Sequence, residues 1–192
     1  MAELSNLHDL REQARRRLPK VVFDFIDGGA DDEVTLARNR SAFEDLTLVP
    51  RVLRGVRTVS TEIELFGRRL SMPVLLAPAG NARVAGPQGE LAQIGGASDA
   101  GTIGVLGGFA SISAERVARA VPESHWFQLY LFRDRGLTLE IVDRVKQLGY
   151  GALVVTIDTP LAGNRERDRR NGMSVPLRIG PRTMIDAARR LP

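Results

Sequence analysis

Cysteine is absent from this 192-residue chain, and histidine occurs only twice. The first absence excludes disulfides, thiolate metal centres and cysteine nucleophiles, and it leaves the redox compartment unmarked. Apolar runs never reach the roughly eighteen residues that a membrane-spanning helix needs. The amino terminus, Met-Ala-Glu-Leu-Ser-Asn, lacks the basic-then-apolar pattern of a signal peptide, so a cytoplasmic location is expected. Aromatic residues number ten, none set in a nucleic-acid-binding signature. The net charge of +4 is spread over short clusters (Arg15–Arg17, Arg68-Arg69, Arg165–Arg170, Arg189-Arg190), with acidic residues interleaved in the third. That pattern reads as a solvated arginine-rich surface, and nucleic acid is not an expected partner.

What is present is enough apolar material, 43% of residues, for one substantial core. Ser5 is placed to cap a helix carrying Leu7, Leu10, Ala14 and Leu18 on one face, with Pro19 ending it or starting the next turn. The apolar run Val21–Ile26 stops at Gly28-Gly29. Asp31-Asp32-Glu33 reads as the acid-rich first turn of a helix that continues through Leu36 to about Phe43. Residues 61–65 alternate with period two and meet Phe66-Gly67, predicting a hairpin closed by Leu70.

From Pro73 onward, strand and helix patterns alternate strictly, the signature of parallel βα units. Strands are expected at 74–78, 102–106, 126–131 and 152–157. The intervening helices run from Gly89 to Ala100, with Leu91, Ile94 and Ala97 inward, and from Ala114 to Ala120 under a Ser113 cap. A third places Ile141, Val142, Val145 and Leu148 on one face and ends at Gly149. Gly95 and Gly96 each cost the first helix up to about 1 kcal/mol relative to alanine, so close packing is the expected reason for them. The fourth strand, 152–157, is a largely β-branched apolar run that stops at Asp158-Thr159-Pro160 and reads as buried on both faces. Beyond it come a glycine-containing loop with Arg165, then Val175-Pro176 and a last helix from Thr183 to Arg190. Four such units form either an open sheet or half of an eight-stranded barrel, which takes about 250 residues.

Polar residues gather at the carboxyl ends of these strands, where α/β folds bind ligands. Gln128 and Tyr130 share one face of the third strand, and Thr156 and Asp158 share one face of the fourth. Two such pairs at equivalent places favour a ligand pocket over a merely satisfied core. Pro78-Ala79-Gly80 follows the first strand directly, so its main chain can approach a flat ring. Arg165 offers a fixed charge able to clamp a carboxylate through two parallel hydrogen bonds. His8 and His125 stand outside this grouping and are assigned no catalytic role.

Leu18-Pro19-Lys20, Gly29–Glu33, Asn39, Ala42-Phe43, Ala77-Pro78, Gly89-Glu90, Trp126–Tyr130, Thr156–Pro160 and Arg165–Asp168 with Asn171 occur in a distinctive order. In that order and spacing the chain resembles the FMN-dependent 2-hydroxy acid dehydrogenase/oxidase family, which includes glycolate oxidase, flavin-type L-lactate dehydrogenase and (S)-mandelate dehydrogenase. The loop Gly163–Asp168 looks closest to the mandelate branch. The resemblance implies the amino-terminal half of an FMN-binding (β/α)8 TIM barrel: residues 1–72 as a helical and hairpin prelude capping it, and residues 73–192 as its first four βα units. It implies oxidation of an (S)-2-hydroxy acid to the 2-oxo acid. Pro78, Ala79 and Gly80 would then lie along the flavin, joined by Gly107, with Gln128 and Thr156 on its polar edge. Tyr130 would face the substrate and Arg165 would pair with its carboxylate. Asp158 would orient a histidine base supplied by a carboxyl-terminal half. Two positions depart from the pattern. Phe25 stands where a substrate-binding tyrosine is common, and Gly107 stands where a serine is expected. The family's lysine, histidine base, second arginine and phosphate-binding segment would fall beyond Pro192. The expected alternatives are therefore an inactive fragment or one subunit of a split enzyme, with a homo-oligomer or a separate carboxyl-terminal half as partner.

Overall fold

The computed structural model describes residues 5–122, 125–158, 161–173 and 180–190. Thr159-Pro160 and Val175-Pro176, both named in the sequence reading, lie outside the described residues. Two compact units form: Arg54–Pro160, and Met1–Leu53 with Leu161–Pro192.

In the unit Arg54–Pro160, the hairpin of β1 (Ile63–Leu65) and β2 (Arg68–Leu70) is antiparallel, pairing Ile63 with Leu70. Its turn residues Phe66 and Gly67 both take positive φ, as a two-residue connection matching strand twist demands. A parallel sheet follows in the order β3 (Val105–Leu106), β4 (Trp126–Tyr130), β5 (Ala152–Thr156). The expected strand at 74–78 is reduced to one parallel bridge, Leu76 to Gly104. Leu76 N–H donates to Ile103 O at 2.9 Å, and Val105 N–H donates to Leu76 O at 3.0 Å. Pro73 and Pro78 bracket the run and have no N–H to extend the ladder. The second strand is likewise shorter than 102–106.

Three helices pack on one face of this sheet: α4 (Glu90–Asp99), α5 (Ala114–Ala120) and α6 (Arg135–Gln147). Ser113 caps α5 by accepting from Arg116 N–H, as its sequence position implies, and Asp134 caps α6 by accepting from Gly136 and Leu137. Ile94, Leu106, Ile112, Val117, Phe127, Leu129 and Val145 make the buried core, with Ile141 and Val142 packed at its margin. Gly95 and Gly96 are not close-packing positions, since a Cβ on either would meet nothing within 4 Å. The close approach comes from the strand side. A Cβ on Gly104 would lie 2.8 Å from Ile94 Cδ1 and 3.2 Å from Ala97 Cβ, so this glycine lets α4 seat against the sheet. β5 is not buried on both faces either. Among the described residues it pairs with β4 alone, and Leu153 and Val155, in register with Phe127 and Leu129, remain 40% and 45% exposed at this edge of the sheet.

In the other unit, α1 (Leu7–Arg17) is capped by Asn6 rather than Ser5. The Asn6 side chain accepts from Asp9 N–H at 2.9 Å, and Ser5 lies one residue too early. The run Val21–Ile26 belongs to a helix, α2 (Lys20–Asp27), which starts at Pro19 and buries Val21, Val22, Phe23 and Asp24. Asp31-Asp32-Glu33 precede α3 (Val34–Ser41) instead of forming its first turn. Asp31 and Glu33 take positive φ, and the Glu33 carboxylate turns back to accept from Gly29 N–H at 3.0 Å. The stretch read as a loop around Arg165 holds a short helix, α7 (Glu166–Asn171), and α8 (Pro181–Arg190) ends the described chain.

Candidate functional site

Along β4 the alternation places Trp126, Gln128 and Tyr130 on the side opposite Phe127 and Leu129, which enter the core beneath the helices, and brings Tyr130 to the carboxyl end. Parallel register sets Gln128 opposite Val154 and Tyr130 opposite Thr156. Gln128 is 5% exposed and its amide is doubly held. Gly108 N–H donates to Oε1 at 2.8 Å, which fixes the amide's orientation, and Nε2 donates to Thr156 Oγ1 at 2.6 Å. Thr156 therefore keeps its own O–H for another acceptor. A Cβ on Gly108 would fall 2.9 Å from the Gln128 carbonyl oxygen, so only glycine lets this loop close over the strand end. Phe109 stacks on Tyr130, ring centroids 4.8 Å apart at 38°.

Pro78, Ala79 and Gly80 are exposed and carry no regular structure. A Cβ on Gly80 would reach 3.0 Å from the Phe109 carbonyl oxygen, whereas one on Gly107 would rest 3.4 Å from Ala79 C and Gly80 N. The loops at 78–81 and 107–109 are thus in backbone contact, joined by Asn81 N–H donating to Phe109 O at 3.1 Å. Asp158 is exposed just past β5. His125 is buried at the start of β4, the opposite end from these groups.

Arg165 belongs to the other unit, at the start of α7. Its Nε donates to Asp168 Oδ2, an Nη2 N–H donates to the Phe25 carbonyl, and its guanidinium lies 5.4 Å from the Phe25 ring centroid. Phe25, lacking a hydroxyl, contributes its ring and carbonyl to holding Arg165. Asp27 joins the elements around it: 8% exposed at the side chain, it takes a two-bond clamp from Arg11 at 2.6 and 2.8 Å and a contact from Arg167 at 3.4 Å. The Arg11 hydrogen bond holds the Asp27 carboxyl below its ordinary range. Among the described residues no group of three or more His, Asp or Glu is placed to bind a metal.

Residues 14–191 match the family model described as FMN-dependent dehydrogenase. The chain belongs to the FMN-dependent dehydrogenase family. It is 41% identical over 182 residues to a putative L-lactate dehydrogenase of Mycobacterium tuberculosis, covering 94% of this chain and 44% of that protein. It is 43% identical over 171 residues to 4-hydroxymandelate oxidase of Amycolatopsis orientalis, covering 89% and 48%. The crystal structure of the monotopic membrane protein (S)-mandelate dehydrogenase superposes with a TM-score of 0.92 at 34% identity, over 98% of this chain and 50% of that one. The chain thus spans about half the length of these relatives. Its mixed α/β fold matches the amino-terminal half of the mandelate dehydrogenase barrel, with no closed barrel among the described residues. FMN is the cofactor of this family. No described helix is long and apolar enough to cross a membrane. Gly108 carried no recognisable signal in the sequence, because its neighbour across the strand end is twenty residues away, while Asp168 and Glu90 stood only within the family's motifs, with no sign of the contact with Arg165 or of the burial that the structure gives them.

Proposed function

We propose that this chain provides the flavin-facing and carboxylate-binding residues of an FMN-dependent enzyme that oxidises an (S)-2-hydroxy acid to the 2-oxo acid. The observation that carries the reading is the Gln128 amide, locked between Gly108 N–H and the Thr156 hydroxyl at the carboxyl end of two parallel strands. This set fits FMN. Gln128 retains one amide N–H, Thr156 retains its O–H, and the main chain of Pro78, Ala79 and Gly80 is open beside Gly107, so a flat ring with a polar edge finds donors without an intervening side chain. Bound FMN supplies a two-electron acceptor. Tyr130, held by Phe109, is the group assigned to face the substrate and stabilise charge as its hydroxyl is oxidised. Arg165 is assigned the substrate carboxylate. Its Nε and one Nη2 N–H are occupied, which pre-sets the guanidinium and leaves the Nη1–Nη2 edge, one N–H from each nitrogen, for two parallel bonds. Asp158 is assigned to orient a histidine base from a carboxyl-terminal half, the proposed partner, in an enzyme of the cytoplasm.

Stopped-flow reduction of bound flavin by lactate or mandelate, in the chain combined with a relative's carboxyl-terminal half, tests this reading. Flavin should be reduced there and not by the 192-residue chain alone. Arg165→Met should lower kcat/KM by roughly thirty- to a thousand-fold, because a bidentate contact worth about 2–4 kcal/mol is lost. An unchanged rate in Arg165→Met would remove Arg165 from the site.

A further inference from the structure

Glu90 is a charged residue with no exposed surface, at the first turn of α4. Burying a carboxylate is costly unless it is well paired, and among the described residues no cation forms an ion pair with this one. Its partners are neutral donors in two separate loops. Oε1 accepts from Ala82 N–H at 3.0 Å and from Ser111 N–H at 2.8 Å, and the Ser111 hydroxyl lies 2.7 Å from Oε2. Arg83 N–H donates to the same hydroxyl at 3.1 Å. Gly89 makes the approach possible: at φ +48° it carries no Cβ, which would sit 2.6 Å from Arg83 Cγ. Burial by itself raises the Glu90 pKa, and the Ser111 and Ala82 hydrogen bonds outweigh it, so the group stays ionised.

The two loops that Glu90 joins are the ones bearing Pro78–Gly80 and Gly107–Gly108. They already touch at Asn81 and Phe109, and the second continues through Gly108 to Gln128 and through Phe109 to Tyr130. We propose that Glu90 is a positioning residue for FMN, its buried carboxylate tying the loop after the first strand to the loop after β3 so that their main chains stay at the spacing that receives the flavin ring. This rests on the assignment of those loops to FMN made above. Glu90 touches no flavin itself. Ionised, it accepts from the backbone donors about twice as strongly as a neutral group would, which is the return for burying the charge.

Hydrogen–deuterium exchange on the 192-residue chain, read over residues 79–84 and 107–113 with and without excess FMN, tests the proposal in wild type, Glu90→Gln and Glu90→Ala. FMN-induced protection of both loops should fall in that order while β4 and β5 keep theirs. FMN affinity should drop about three-fold in Glu90→Gln, where one amide oxygen retains both backbone donors, and about ten-fold or more in Glu90→Ala. A Glu90→Ala chain whose loops are protected by FMN as strongly as wild type overturns the positioning role. So does wild-type FMN affinity in Glu90→Gln, which carries the test where Glu90→Ala does not fold. If FMN leaves both loops of the wild-type chain unprotected, the assignment of the loops to FMN fails first, and the positioning role falls with it.

Discussion

Gly107 and Gly108 are adjacent glycines with opposite tolerance for a side chain. At Gly107 a Cβ meets Ala79 and Gly80 at ordinary contact distance, 3.4 Å, while at Gly108 it would meet the Gln128 carbonyl oxygen at 2.9 Å. Gly107→Ser should therefore cost little, under about 1 kcal/mol, whereas Gly108→Ala should displace the loop, break the Gly108 N–H bond to Gln128 and cost about 1–3 kcal/mol. Urea unfolding midpoints of the two variants check the contrast, and equal midpoints would count against it. The sequence made Gly107 conspicuous, as a departure from a family serine, but gave Gly108 no mark. Its importance comes from a carbonyl twenty residues downstream.

Periodicity served the helices of the βα units, whereas Leu7 and Leu10, on the face read for α1, are exposed. Ile94, Ala97 and Val145 are buried on the faces their spacing indicates, and Leu129→Ala, in the core with Ile94 and Val145, should destabilise by about 2–5 kcal/mol in thermal or urea unfolding. Strand length was less legible, because ladder pairing depends on which donors survive, and the prolines at 73 and 78 leave Leu76 as a single bridge. β5 carries its own prediction. With one neighbour in the sheet and Leu153 and Val155 partly exposed, it offers unpaired backbone groups and apolar surface to another chain. The chain should self-associate, and Val155→Lys should reduce that association; sedimentation velocity of both proteins measures it. A wild-type chain that sediments as a monomer at all concentrations would contradict this.

For the whole chain, stability should depend on acid in a definite direction. Asp27, held down chiefly by its Arg11 hydrogen bond, and Glu90, where hydrogen bonds outweigh burial, both have folded-state pKa values below their ordinary ones. Each therefore contributes stability that is fully present above the ordinary carboxylate range of about 4 and is lost as pH falls through the lowered folded value. Urea midpoints measured from neutral pH downward should fall below about pH 4, and less steeply in Asp27→Asn, which has no charge to lose. Legible in the sequence were the order of the βα units, the hairpin at Phe66-Gly67, the inward faces of α4 and α6 and the kinship to FMN-dependent dehydrogenases, because periodicity, turn chemistry and motif spacing are local properties of the chain. Packing alone settled that α7 holds Arg165 against Phe25 and that Glu90 ties two loops together. Each of these depends on where a hydrogen-bond partner from elsewhere in the chain comes to rest, and that placement is the outcome of packing rather than of local pattern.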